Sequence, residues 1–269
     1  LIHQLIEHVS ACYYPRRLDL AGEARVAAVF GEIVEANARL CASWMTAGFV
    51  HGVLNTDNLN VTGESFDYGP WRFVPTSQPG FTAAYFDEGG LYAFGRQPEA
   101  VSWALAQLGG ALSLVCDASL LEAELTRFAP AYQQGLRASM FKRLNLAEGA
   151  LEADLPFLQT VFDWLTESQA GYDQFFHDWR AQDVRAKREA VSPQASLYAA
   201  PEFAPVRDGI EARQPSGSIR RHDYWSRATP CTMLIDDVET IWAAIAERDD
   251  WSLFEAKLRQ IDELRSAFG

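Results

Sequence analysis

H-G-V-L-N-T-D-N-L-N-V-T-G-E-S-F-D-Y-G, which runs from His51 to Gly69, is the stretch that decides the fold. Apolar and polar residues alternate over positions 59–62, and the turn-forming pair Gly63-Glu64 follows. An alternation of period two that leads into a glycine turn predicts a β-hairpin. Helical patterns precede and follow this stretch, so the sequence predicts a mainly α protein with one small hairpin.

Side chains that carry oxygen stand at both ends of this hairpin. Asp57 and Asn58 precede it and Asp67 follows it, so a hairpin would hold three oxygen ligands close together. Hard divalent cations that bind together with phosphates prefer such ligands. Protein-kinase-like folds use the same layout of a catalytic loop ending in Asn, a hairpin and a D-F-G tripeptide. The sequence therefore predicts a protein-kinase-like C-lobe.

The spacing within the loop indicates which residue could act as a base. Kinase-type loops have an Asp two residues after the His and an Asn five residues after that Asp. His51 and Asn58 keep the outer spacing, but Val53 occupies the Asp position and cannot accept a proton. Asp57 is the only plausible replacement, although a lone loop Asp is usually just a solvated residue. For His51, a hydrogen bond that supports the loop backbone is favoured over a role as base or metal ligand.

With these motifs the chain resembles the selenoprotein O family, which carries H-G-V-x-N-T-D-N and then D-Y-G-P. The resemblance continues through Gly90–Phe94, Gln97-Pro98 and Trp103, and it is strongest between residues 48 and 103. Members of that family are described as protein-kinase-like enzymes that transfer AMP, not phosphate, from ATP to Ser, Thr or Tyr hydroxyls of proteins. The resemblance implies ATP as co-substrate and proteins with hydroxyl side chains as partners.

The same resemblance implies a role for each site residue. Asp57 matches the catalytic base, Asn58 and Asp67 match the ligands of Mg²⁺ (or Mn²⁺), and Asp67 also matches a residue that contacts ATP.

Several positions depart from the family pattern. Leu91 stands where an Arg is usual, and Ala104 replaces an Asn after the Trp. Ile235-Asp236 replaces an Arg-Asn pair that follows Thr229-Pro230, where the family reads Asn-Pro. None of these departures touches the three proposed site residues.

The helical patterns suggest two parts. Residues 1–189 are predicted to form the kinase-like C-lobe, and residues 190–269 a linker and a helical C-terminal extension. The parts of the C-lobe, in order, are the catalytic loop 51–58, the D-Y-G tripeptide 67–69, an activation-segment-like region 70–97 and helices across 98–189. Residues 190–230 show weak periodicity and predict a long connection. The basic run Arg220-Arg221-His222 within it is interpreted as a solvated or acid-paired cluster.

The region 70–97 is rich in Gly, Pro and aromatic residues. In a kinase this is where protein substrates dock, so exposed aromatic side chains could form a recognition surface. It is equally plausible that they anchor an irregular loop to the core. Asp87-Glu88 is interpreted as a solvated turn before Gly89-Gly90.

An ATP-holding N-lobe is not visible in the sequence. No G-x-G-x-x-G hairpin or strand lysine of the V-A-I-K type precedes residue 51, and a complete kinase-like enzyme needs both. We therefore expect the N-lobe to be absent from these 269 residues and the chain alone to be inactive. Two alternatives stay open: a kinase-like phosphotransferase, and a non-catalytic helical binding module.

The composition of the chain argues against nucleic acids and membranes as partners. The chain has 23 Lys and Arg against 36 Asp and Glu, a net charge of -13. Nucleic acids and anionic membrane surfaces attract basic faces, so neither is expected as a partner. No apolar run approaches the 18 residues of a membrane span. These properties predict a cytoplasmic protein.

Overall fold

A computed structural model describes residues 1–180, 190–217 and 222–268. The chain is mainly helical in these ranges, as expected from the sequence. It divides into two compact units, Leu1–Trp71 with Pro79–Leu136 and Arg72–Gln78 with Arg137–Gly269. The predicted boundary near residue 189 lies outside the described residues and stays a prediction.

The first unit contains the long helix α2 and the predicted loop. Its elements, in chain order, are α1 (Ile2–Tyr13), α2 (Gly22–Ala47), strand β1 (Phe49–Val50), α3 (Gln97–Leu112), α4 (Ala118–Leu125) and the first part of α5 (Phe128–Leu144). Short 3-10 turns lie at Pro15–Arg17, Thr56–Asn58 and Phe94–Arg96.

Helix α2 is the centre of this unit. Val29, Phe30 and Val34 on it are fully buried, together with further apolar residues that recur at helical spacing. It ends at Gly48, whose φ of 68° is left-handed and whose N–H bonds the carbonyl of Met45. Glycine adopts that conformation without a Cβ penalty. The chain therefore turns sharply out of α2 into β1 and the loop.

The predicted hairpin is confirmed in a short form. Leu59 and Ser65 form one antiparallel bridge, and the N–H of Asn60 donates to the carbonyl of Glu64 at 2.9 Å. A tight turn through Gly63 connects the two sides, since the N–H of Gly63 bonds the carbonyl of Asn60 at 3.2 Å.

Helix α2 and the residue after α1 hold this hairpin in place. The side chain of Asn37 on α2 donates to the carbonyl of Asn60 at 3.1 Å, and the hydroxyl of Tyr14 donates to the carbonyl of Val61. At the turn, a Cβ on Gly63 would lie 2.8 Å from backbone atoms of Ala36. The hairpin tip is thus packed against the backbone of α2 with no room for a side chain.

The second unit is also helical in its described part. Its elements are strand β2 (Arg72–Phe73), the end of α5, α6 (Leu151–Ser168), α7 (Tyr172–Trp179), α8 (Ala195–Ala199), α9 (Ala204–Glu211), α10 (Ile235–Arg248) and α11 (Ser252–Phe268). Its core is built from aromatic rings, with the centroids of Trp179 and Phe203 4.5 Å apart and those of Trp164 and Phe203 4.6 Å apart. The buried carboxylate of Asp154 receives hydrogen bonds from Arg137 and from the N–H of Gly149, both at 2.8 Å.

The sequence predicted one long connection across residues 190–230 of this unit. The connection 190–230 is not irregular throughout, because α8, a 3-10 turn at Pro201–Phe203 and α9 lie within it. The weak periodicity reflects helices too short to show a full apolar stripe. The part of the helix predicted beyond Arg180, and Arg220 and Arg221 of the basic run, lie outside the described residues.

Among the described residues, every helix is too short or too polar to cross a bilayer.

The turn at Gly63 provides a test of the hairpin's packing. Gly63→Ala should lower the free energy of unfolding by at least about 1–2 kcal/mol, because an L-residue is strained at a left-handed φ and its Cβ would strike Ala36. The midpoint of urea denaturation measures this.

Gly110→Ala is the matched control. Gly110 lies in α3 with no atom within 4 Å of an added Cβ and without a left-handed φ. Alanine there should be neutral or stabilise by about 0.5–1 kcal/mol. Equal destabilisation by both substitutions would contradict the packing of the hairpin on α2.

Candidate functional site

The predicted catalytic loop begins at a buried amide side chain. Gln97, at the start of α3, is 0% exposed. Its Oε1 accepts the N–H of His51 at 3.0 Å, and its Nε2 donates to the carbonyl of Phe49 at 2.9 Å. One side chain therefore fixes the backbone on both sides of Val50 and sets where the loop starts.

His51 connects the start of the loop to its end through a serine. The hydroxyl of Ser65 donates to the carbonyl of Asn58 at 2.7 Å, and His51 Nε2 lies 2.9 Å from the same oxygen. Because the hydroxyl hydrogen is used toward Asn58, Nε2 is the donor to Ser65. His51 is thus a supporting residue, as favoured from the sequence, and through Ser65 it is linked to the carbonyl of Asn58.

The surroundings of His51 keep its ring neutral. The ring is buried, and its centroid lies 5.1 Å from that of Tyr68 and 5.6 Å from that of Trp44. Burial lowers the pKa of His51, although the nearby charge of Asp67 acts in the opposite direction. A neutral ring with its proton on Nε2 suits the bond to Ser65.

The turn that carries the site residues is closed by mutual hydrogen bonds between two asparagines. The N–H of Asn58 donates to the carbonyl of Asn55, and the N–H of Asn55 donates to Asn58 Oδ1, both at 3.1 Å. Asn58 is 4% exposed, whereas Asp57 between them is exposed. The turn therefore presents the Asp57 carboxylate to solvent on a fixed backbone.

Tyr92 joins this turn from the segment that follows D-Y-G. Its hydroxyl donates to Asn55 Oδ1 at 2.6 Å. Partial burial raises the pKa of Tyr92, and the charges of Asp87 and Asp57 raise it further. The phenol thus stays protonated and lies within the electrostatic reach of Asp57.

Asp67 has an uncommon backbone conformation. Its φ is 55°, and the N–H of Gly69 bonds its carbonyl at 2.7 Å. Few residues other than glycine adopt a positive φ, and such strain clusters at functional sites. If the strand pairing at Leu59 and Ser65 continued regularly, side chains would alternate between faces and Asn58 and Asp67 would lie on opposite faces of the hairpin. The left-handed conformation of Asp67 interrupts that alternation.

A divalent cation such as Mg²⁺ binds to oxygen ligands. Within the described ranges, no three His, Cys, Asp or Glu side chains lie together as a metal cage. Mg²⁺ does not need one, because it is commonly held by one or two protein oxygens, by waters and by substrate phosphates. The exposed carboxylate of Asp67 and the amide of Asn58 fit that pattern. Their role as metal ligands stays a prediction.

The turn predicted at Asp87-Glu88 is present, with Glu88 exposed and the N–H of Gly90 bonded to the carbonyl of Asp87 at 3.1 Å, but Asp87 is not merely solvated. Its carboxylate accepts the N–H groups of Leu91 and Tyr92 at 2.7 and 2.8 Å, so it shapes the segment that carries Tyr92. Tyr85 nearby is 93% exposed, and its ring packs edge-on against Phe86, which is also exposed. These two rings are available at the surface, while Phe94 is buried in the core.

The positions that depart from the family pattern are not among the residues that make the loop hydrogen bonds named above. Leu91 is exposed and contributes its backbone N–H to Asp87, which any residue other than proline could do. Ala104 is buried in α3. Ile235 and Asp236 form the first turn of α10, where an acidic residue is favourable.

Sequence reasoning missed the supporting residues. Gln97 and Tyr92 drew attention only through the family resemblance, and Ser65 only as part of the hairpin. Their roles depend on partners 46, 37 and 14 positions away in the chain. A signal was nevertheless present at Gln97, a polar residue next to a proline at the start of an apolar helix.

Comparison with known proteins identifies the family to which the chain is similar. Residues 1–262 match the family model described as protein adenylyltransferase SelO. The chain is 37% identical over 263 residues to the protein nucleotidyltransferase YdiU of Gloeobacter violaceus, which covers 94% of this chain and 54% of that protein. The YdiU proteins of Trichodesmium erythraeum and Myxococcus xanthus are 36% and 34% identical, over 97% and 94% of this chain.

The chain spans about half the length of the curated relatives it matches, 54% and 58% for the two cyanobacterial proteins named above. Since the family model covers residues 1–262 and the relatives align over nearly the whole chain, the chain belongs to the protein adenylyltransferase SelO family of nucleotidyltransferases.

Proposed function

We propose that this chain is the catalytic-loop portion of a protein adenylyltransferase that transfers AMP from ATP to Ser, Thr or Tyr hydroxyls of proteins. The observation that carries the proposal is the closed turn Thr56–Asn58. It presents an exposed Asp57 beside a buried Asn58, at the base of a hairpin that ends in a left-handed Asp67. Membership of the SelO family supports the reaction class.

Asp57 is the proposed general base. The substrate hydroxyl gives its proton to the Asp57 carboxylate while the oxygen attacks the α-phosphorus of ATP. The bond from that phosphorus to the bridging oxygen breaks, and pyrophosphate leaves. A positioned base of this kind typically contributes about 10²–10⁴-fold to the rate.

Asn58 and Asp67 are proposed to hold Mg²⁺ or Mn²⁺, with Asp67 also facing the nucleotide. The cation would neutralise phosphate charge when bound. This chain holds Asn58 still, through the Asn55–Asn58 bonds and through the bond from Ser65 to Asn58. Kinase-like architecture for this unit and a cytoplasmic location are part of the same proposal.

The substrate is proposed to approach across the segment that carries Tyr92. This segment reaches the catalytic turn through the Tyr92–Asn55 bond, and it exposes Tyr85 and Phe86. A protein that contacts those rings would bring a hydroxyl side chain toward Asp57.

The metal ligands can be tested in this chain alone. Mn²⁺ added to the isotope-labelled protein should broaden the NMR signals of Asn58 and Asp67 together, because one ion would lie near both. Asp67→Ala should weaken the effect strongly, and Asp19→Ala, which removes an exposed carboxylate near α2, should not. Broadening that spares either residue, or that responds equally to both variants, would contradict a shared site.

Isolated activity provides a second test. Residues 1–269 should transfer no AMP at a measurable rate, because positioning and charge neutralisation supply nearly all catalysis in such reactions and the glycine loop and strand lysine are missing from this sequence. Incubation with ATP labelled at the α-phosphate measures it. Robust labelling would contradict the expected inactivity of the chain alone, and label that enters only in a parallel incubation with γ-labelled ATP would indicate a phosphotransferase instead.

The base can be tested in a longer protein that includes the remaining half of its relatives' length. Asp57→Ala should reduce AMP transfer by about 10²–10⁴-fold and leave the melting temperature nearly unchanged, since Asp57 is exposed. Glu88→Ala is the control: it removes an exposed carboxylate from the neighbouring segment. Asp87 is unsuitable as a control, because its carboxylate bonds the backbone N–H groups of Leu91 and Tyr92. Near-normal transfer by Asp57→Ala would show that Asp57 is not the base.

A further inference from the structure

An open groove of about 620 Å³ lies in the first unit, and Tyr85 is among the residues that line it. Its described lining falls within residues 79–96, the segment that carries Tyr92. Tyr85 is 93% exposed, and its ring packs edge-on against that of Phe86 at a centroid distance of 5.3 Å. A ring this exposed contributes little to the core, whereas tyrosine is enriched where proteins bind one another.

The groove carries negative charge that nothing near it balances. Asp87 and Glu88 line it, and neither forms an ion pair with a described residue. Arg96 is the only cation among the described lining residues, and its guanidinium bonds both carboxylate oxygens of Glu99, at 3.0 and 3.2 Å. The charge of Arg96 is therefore already compensated, and those of the two carboxylates are not.

The catalytic loop and the groove segment share this sign of charge. Residues 40–71 and 79–95 contain no Lys or Arg. The acidic residues in these two ranges are Asp57, Glu64, Asp67, Asp87 and Glu88. The segment that forms the groove is joined to the turn that carries Asp57 through the bond from Tyr92 to Asn55. A surface of one sign attracts and orients partners of the opposite sign.

Carboxylates beside an exposed aromatic ring suit an organic cation. The guanidinium of arginine bonds a carboxylate through two parallel N–H groups, and it also stacks on aromatic faces. A hard metal ion gains nothing comparable from the ring, since it prefers oxygen ligands. The chemistry of the groove therefore favours a basic side chain as its occupant.

We propose that this groove binds a basic side chain, arginine above all, of the protein that accepts AMP. The guanidinium lies over the ring of Tyr85 and bonds the carboxylate of Glu88. Asp87 contributes its charge, while its oxygens also accept the N–H groups of Leu91 and Tyr92. The inference rests on the proposed function only in treating the bound protein as the AMP acceptor.

Arginine and citrulline provide the test, because citrulline keeps the shape of arginine and lacks its charge. A short peptide with one Ser and one Arg, and the same peptide with citrulline, are titrated into the isotope-labelled chain of residues 1–269. The arginine peptide should shift the backbone signals of Tyr85 to Gly90 in a saturable way. The citrulline peptide should bind about fivefold to tenfold more weakly, as expected when an exposed ion pair and an exposed cation–π contact are lost together.

Variants locate the site on the chain. Glu88→Gln and Tyr85→Leu should each weaken binding of the arginine peptide about threefold to fivefold. Both positions are exposed, so both variants should fold. Glu122→Gln is the control and should leave binding unchanged, because it removes an exposed carboxylate of α4 that is not among the lining residues of the groove.

Three results would overturn the proposal: equal binding of the two peptides, shifts that do not saturate, or equal losses in Glu88→Gln and Glu122→Gln. The last would reveal only the general attraction of an acidic chain for a basic peptide. Weaker binding of the arginine peptide at higher salt should accompany a positive result, since exposed charges are screened.

These measurements need no AMP transfer, so they separate this inference from the proposed function. If the longer protein transferred no AMP while the groove preferred the arginine peptide, the groove would stand as a site for basic proteins and the proposed function would fail. AMP transfer together with equal binding of both peptides would overturn the inference alone. Since loss of one carboxylate costs only several-fold in binding, Glu88→Ala stays distinguishable from the loss of about 10²–10⁴-fold expected for Asp57→Ala.

Discussion

The buried side chain of Gln97 is the interaction on which the site depends. Its amide accepts the N–H of His51 and donates to the carbonyl of Phe49, so one side chain bonds the backbone on both sides of Val50. An apolar side chain there would leave two buried backbone groups unpaired, at a cost of about 1–3 kcal/mol each. Since α3 begins at the same residue, the start of the loop and the start of the helix are fixed together.

Neutral side chains hold the rest of the site. Asn37, Asn55, Asn58, Ser65 and Tyr92 make the bonds that set the hairpin and the turn. The ionised groups, Asp57 and Asp67, are left exposed. This division has a physical reason, because hydrogen bonds between neutral groups are hardly affected by salt. The carboxylates are thus available for a cation or a proton while the scaffold does not rely on their charge.

The sequence predicted the elements whose signals are local. Helix α2 follows from an apolar stripe that ends at Gly48, and the hairpin follows from alternation that ends at Gly63. Resemblance to a family supplied the proposed roles of Asp57 and Asp67, which stay predictions. Gln97 and Asn37 could not be assigned from pattern, because an amide buried for its hydrogen bonds looks the same in sequence as an exposed one. The backbone contacts of the Asp87 carboxylate could not be predicted for the same reason: a carboxylate that caps backbone N–H groups has no periodic signal.

The bond between Tyr92 and Asn55 makes two surfaces thermodynamically dependent on each other. Asp87 orders the segment that ends in Tyr92, and Tyr92 in turn bonds Asn55, the residue that closes the turn carrying Asp57. If a protein bound the segment in a conformation without the Tyr92–Asn55 bond, it would loosen the turn. If it bound the segment with that bond intact, it would hold the turn more firmly. Coupling of this kind is reciprocal. A cation that bound the turn and tightened it would therefore raise the affinity of the segment for a protein that keeps the Tyr92–Asn55 bond. That protein would raise the affinity of the turn for the cation by the same factor.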